Sequence, residues 1–154
     1  MESKKEFMVK AIELAKKSAK NGDYALGAVI VKGSKVIASG TTNLKHENDP
    51  TAHAEIVAIR NACKKLRSHY LERCVLYTTH EPCPMCTSAA VWAKMEGIVF
   101  GAYIKDAEER HSRRFSWRQI KIPSKYVISH GAPRLELKGG FLRRECLELF
   151  DLVK

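Results

Sequence analysis

Two short stretches hold the residues that could do chemistry: Thr51-Ala52-His53-Ala54-Glu55 and Glu81-Pro82-Cys83-Pro84-Met85-Cys86. One imidazole and two thiolates, from His53, Cys83 and Cys86, match a catalytic zinc in ligand type and number, leaving one tetrahedral position for water. Bound zinc brings the pKa of such a water from 15.7 to roughly 7, so the implied chemistry is metal-assisted hydrolysis. Glu55, two residues past His53, is spaced to carry protons for that water without being a ligand. Each half is weak alone. A lone P-C-x-x-C serves equally as half of a structural zinc site, which wants four protein ligands, or as a redox pair. Here both halves occur, each heading a predicted helix, and helix N-termini favour thiolate over thiol. His80, next to the cysteine loop, is the one further histidine close enough in sequence to line the same pocket; His46, His69, His111 and His130 read as surface or hydrogen-bonded side chains.

The rest of the chain must position these residues. Phe7, Met8, Ala11, Ile12, Leu14, Ala15 and Ala19 recur at helical spacing among lysines and predict an amphipathic helix over residues 4–20, ended by Asn21-Gly22-Asp23. Ala25 to Val31 and Val36-Ile37-Ala38, around Lys32-Gly33-Ser34-Lys35, read as a β-hairpin, with Gly27 and Gly40 as places where another backbone could approach. Thr41 to Pro50 reads as a loop. A helix follows over Ala52 to Leu66 with Thr51 as its N-cap. Then come a buried strand, Cys74 to Thr79, a helix from Pro84 to about Lys94, and a strand, Gly97 to Gly101. Asp106 to Trp117 reads as a helix, Ile120 to Pro133 as irregular, Arg134 to Leu137 as a last strand and Phe141 to Leu152 as a closing helix. This order predicts a three-layer α/β/α sandwich around a central mixed five-stranded sheet, in a single domain over residues 1–154. Trp92 and Trp117 read as packing residues, Trp117 with the further option of stacking on a base.

The five cysteines leave Cys63, Cys74 and Cys146 outside the site, expected as buried free thiols of a cytoplasmic protein. No apolar run is long enough to span a bilayer, and the N-terminus lacks a signal-peptide pattern. A membrane partner is not expected. The net charge is +10, and between Arg110 and Arg144 ten basic residues stand against Glu136 alone. This basic segment, 110–144, is either a footprint for the phosphates of a nucleic acid or a solvated face.

The combination H-x-E with P-C-x-x-C resembles the cytidine-deaminase-like zinc deaminases over roughly residues 5 to 106. The resemblance implies removal of an exocyclic amine from a base as ammonia. Asn48 to Glu55 is similar to both bacterial guanine deaminases and tRNA adenosine deaminases, while Leu76 to Cys86 is nearer the guanine and cytosine deaminase style. By the same resemblance Asn43 and the backbone amide of Ala54 hold the base, and the chain forms a homodimer. The Gly-Phe-Asp-Asp segment of bacterial guanine deaminases is absent, whereas Gly139 to Cys146 resembles the close of tRNA adenosine deaminases. Two substrate readings follow. The first is a free nucleobase or nucleoside of guanine or cytosine type; the alternative is the wobble adenosine of tRNA, converted to inosine. A third, non-enzymatic reading is a structural zinc-binding RNA module.

Overall fold

The computed structural model describes residues 1–110 and 119–152. Helix α1 (Lys5–Lys20) leads to a hairpin of β1 (Gly27–Lys32) and β2 (Lys35–Thr41), and the single turn α2 (Leu44–Glu47) precedes α3 (Ala54–Leu66). Then follow β3 (Cys74–His80), α4 (Pro84–Trp92), β4 (Gly97–Ala102), α5 (Ile104–Glu109), α6 (Ser124–Ser129), β5 (Glu136–Lys138) and α7 (Arg143–Glu148), which runs into a 3₁₀ turn at Leu149–Leu152. The five strands form one sheet in the order β2-β1-β3-β4-β5. β1 is antiparallel to β2 and β3, whereas β3, β4 and β5 run parallel. Parallel neighbours need a crossover, and α4 supplies it between β3 and β4.

Strand periodicity sorts the core into two halves. Val29, Val31, Tyr77 and Val99 face α1 and the C-terminal residues Leu149 and Phe150. Ala28, Ile30, Leu76 and Ile98 face Ala58 and Ile59 of α3, Ala90 of α4 and Ile128 of α6. The mixed sheet between helical layers is thus the predicted one. The two glycines lie where helices press on the hairpin. A Cβ on Gly27 would sit 2.2 Å from the carbonyl oxygen of Ala11, and one on Gly40 would sit 2.3 Å from that of Ala54.

Several local expectations change. The loop before the first motif contains α2. Thr51 does not cap α3: its hydroxyl donates to Asp49 Oδ1 at 2.6 Å, and His53 itself occupies the N-cap position. The segment expected to be irregular contains α6. Trp92 is not a packing residue, being 82% exposed. Cys74 and Cys146 are buried free thiols as expected, while Cys63 is half-buried. The helix expected over Asp106 to Trp117 is found at Ile104–Glu109; Trp117 and His111 lie outside the described residues. No helix among the described residues is long and apolar enough to cross a membrane.

Candidate active site

The metal-ligand set is assembled from two helix starts. His53 is the N-cap of α3, Cys83 the N-cap of α4, and Cys86 lies in the first turn of α4 behind Pro84. Both helices pack on one face of the sheet, so their N-termini meet beside the carboxyl end of β3. His53 Nδ1 lies 3.7 Å from Cys83 Sγ and 3.6 Å from Cys86 Sγ, and the two sulfurs are 3.7 Å apart. A tetrahedral zinc with Zn–S of about 2.3 Å and Zn–N of about 2.0–2.1 Å requires sulfurs about 3.8 Å apart and nitrogen about 3.5 Å from each sulfur. The three donors fit that ion.

The local electrostatics also call for a cation. Hydrogen bonding to Cys86 and His53 outweighs burial and lowers the Cys83 thiol to about 4. The Cys86 thiol is pushed up, first by its hydrogen bond with Cys83, then by burial and by the negative charges of Glu55 and Cys83 beside it. Two thiolates next to a carboxylate become tolerable once a dication sits among them. Contact with Cys83 raises the His53 pKa, a preference for positive charge that a metal would satisfy instead.

Glu55, in the first turn of α3, is 5% exposed. Its Oε1 accepts a hydrogen bond from Thr78 of β3 at 3.1 Å, and its Oε2 lies 3.7 Å from Cys86 Sγ. Burial raises its pKa, which makes it a better proton acceptor than an exposed glutamate. His53, Cys83 and Glu55 enclose one end of a cavity of about 300 Å³, whose walls include Leu26, His80, Ile104, Gln119 and Ile120, with Cys86 buried behind them. Two larger hollows, of about 470 and 520 Å³, contain none of the potential metal ligands.

The other sequence-predicted residues divide. His80 lines the cavity. Its Nδ1 is 2.8 Å from the carbonyl oxygen of Glu81, so that nitrogen carries the proton, and burial lowers its pKa. Ala54 opens α3 and is fully buried. Asn43 is not among the described cavity residues. Its amide donates to Glu47 Oε1 at 2.6 Å, an i to i+4 bond around the turn of α2. Sequence reasoning missed Glu81, Ile104, Gln119 and Ile120.

A protein-family model described as the cytidine and deoxycytidylate deaminase zinc-binding region matches residues 1–102. The chain belongs to this family. It is a zinc-dependent hydrolytic deaminase, and its relatives fall on both sides of one division. The guanine deaminase of Bacillus subtilis is 42% identical over 120 residues, 77% of each chain. A tRNA-specific adenosine deaminase of Aquifex aeolicus is 42% identical over 102 residues, covering 66% of this chain and 68% of that protein. A solved chain from biochemical and structural studies of A-to-I editing by tRNA:A34 deaminases superposes with a TM-score of 0.76. It is 32% identical, over 95% of this chain and 99% of the other. Among deaminases of this family, metal ligation is common ground; the substrate is what divides them.

Proposed function

We propose that this deaminase acts on a free nucleobase or nucleoside of guanine or cytosine type, with Glu55 as its proton carrier. His53, Cys83 and Cys86 hold the zinc, which when bound supplies the Lewis acidity that lets water act as a nucleophile near neutral pH. The base enters with its amine-bearing carbon toward Glu55. Glu55 accepts one proton from the water and passes it to the ring nitrogen as the oxygen bonds to the carbon, then takes the second proton from that oxygen and passes it to the departing amine. The C–N bond breaks, a carbonyl takes its place, and ammonia leaves. Thr78 holds one carboxylate oxygen and leaves the other facing the ligand cluster. His80, neutral and held by Glu81, and the first-turn amide of Ala54 orient the base. Asn43 joins them on turning from Glu47.

The observation that carries the choice of substrate is the cavity. At about 300 Å³ it lies at the small end of ligand sites, about 300–1,000 Å³, and Ile104, Gln119 and Ile120 wall it on the C-terminal side. The basic segment supports the same choice, because part of it is occupied within the fold. Arg143 pairs with Asp106, Arg110 with Asp151 and Lys121 with Glu108. Fluorescence anisotropy with a labelled tRNA anticodon stem-loop tests the reading. Weak association is expected that a saturating free base does not displace; tight association competed away by the base contradicts it.

The functional unit is a homodimer joined through α4 and α6. Apart from Thr87 and Ser88, α4 is apolar or small all round, which fits a helix covered on both sides. Its outer end presents Trp92 at 82% exposure beside a groove formed with Tyr70 and Val127. A second copy is the occupant that such a face fits.

A further inference from the structure

Between β3 and Cys83 stands a buried carboxylate that the reaction does not use. Glu81 is 6% exposed. Its backbone N–H donates to the carbonyl of Ala102 at 2.7 Å, extending the pairing of β3 with β4. Its side chain gathers three donors from two distant elements. Oε2 accepts from the Ile104 N–H at 3.0 Å, while Oε1 accepts from the Ser124 N–H at 2.9 Å and the Ser124 hydroxyl at 3.0 Å. Ile104 and Ser124 are the first residues of α5 and α6, where helix amides have no partner inside their own helix. One carboxylate therefore caps two helices in trans.

Those helices bracket the C-terminal wall of the active-site cavity. Ile104 lines the cavity directly, and Gln119, also in the lining, donates from Nε2 to the Ile104 carbonyl at 2.9 Å. Ile120 lies between Gln119 and the Ser124 anchor. The cysteine loop has separate support: the Thr87 hydroxyl donates to the Pro82 carbonyl at 3.1 Å and the Thr87 N–H to that of Cys83 at 2.9 Å. Loss of the Glu81 bonds would free the wall while leaving the metal ligands in place.

We propose that Glu81 is a positioning residue that fixes the substrate-facing wall, Ile104 and Gln119 to Ile120, at its working distance from the zinc ligands. This rests on the reading of that cavity as the substrate site. A displaced wall weakens ground-state and transition-state binding alike, so KM moves and kcat does not.

The test compares Glu81→Gln, Ser124→Ala and the double variant. Glutamine keeps the shape but turns an NH₂ toward one of the donors. Glu81→Gln should raise KM about tenfold, the scale of one buried unsatisfied polar group, with kcat within about twofold. Zinc should remain at one per chain, and amide exchange should quicken only over residues 104–110 and 119–129. Ser124→Ala removes one of the three bonds and should raise KM by a smaller factor, with the double variant no worse than Glu81→Gln. Loss of zinc, a fall in kcat at constant KM, additive effects in the double variant, or faster exchange with KM unchanged would overturn the proposal. If Glu81→Gln does not fold, an unchanged KM and exchange pattern in Ser124→Ala overturns it. Should the wild-type protein turn over no free base, the proposed function fails, while the exchange pattern still decides whether Glu81 holds this wall.

Discussion

At the scale of single residues, the proposed tasks of the site side chains can be separated by substitution. Replacing Glu55 by glutamine keeps the volume and removes the proposed proton carrier. Glu55→Gln is expected to retain one zinc per chain by elemental analysis while turnover falls about 10²–10⁴-fold; substantial retained activity would mean that another group moves the protons. His53→Ala and Cys83→Ala should instead lose metal and activity together. His80 gives a pH signature. Burial holds its folded pKa below 6.5, so the unfolded chain takes up the proton first on acidification. Its contribution is fully present above pH 6.5 and is lost as the pH falls toward the folded value. The thermal midpoint should drop below pH 6.5, and less so in His80→Asn, which keeps a donor at the δ position but does not titrate there. That His53, Cys83, Cys86 and Glu55 would cluster was legible in the sequence because each half of the motif is local and its residue types suit one kind of site. Glu81 was not, since its partners lie 23 and 43 residues away and nothing nearby marks them.

At the scale of elements, the hairpin glycines decide whether the site assembles. A methyl group on Gly40 would meet the Ala54 oxygen at 2.3 Å and the Ala58 nitrogen at 2.5 Å, both of them backbone atoms of the helix that carries His53 and Glu55. Gly40→Ala should destabilise the fold by about 1–3 kcal/mol or more in chemical denaturation, and weaken zinc retention. A variant with an unchanged midpoint would show that α3 can move away from the sheet at little cost. Periodicity revealed α1 and α3 because each runs for three or more turns, while α4, apolar or small all round, was marked by Pro84 at its first turn. α2 and α6 have four and six residues, too few for a repeating apolar stripe, and the N-cap of α6 is Pro123, whose side chain offers no capping oxygen. The cap of α3 was misplaced by two residues because Asp49 takes the Thr51 hydroxyl, a loop contact that helix-start rules do not anticipate.

At the scale of the whole molecule, charge and exposed aromatic area set the partners. In sequence the basic segment faces only Glu136; in three dimensions Asp106, Glu108 and Asp151 arrive from outside it. A small neutral substrate then predicts a KM nearly independent of ionic strength, whereas a polynucleotide releases counterions and loses affinity steeply with salt. Trp92→Lys should convert a dimer to a monomer in sedimentation analysis, and a monomeric wild-type protein would contradict the proposed interface. The central claim is the class of substrate, and ammonia release tests it most directly when free bases, nucleosides and a tRNA anticodon stem-loop are offered in parallel. Turnover of a free base or nucleoside, with none of the stem-loop, is the predicted result. Turnover of the stem-loop alone would contradict it.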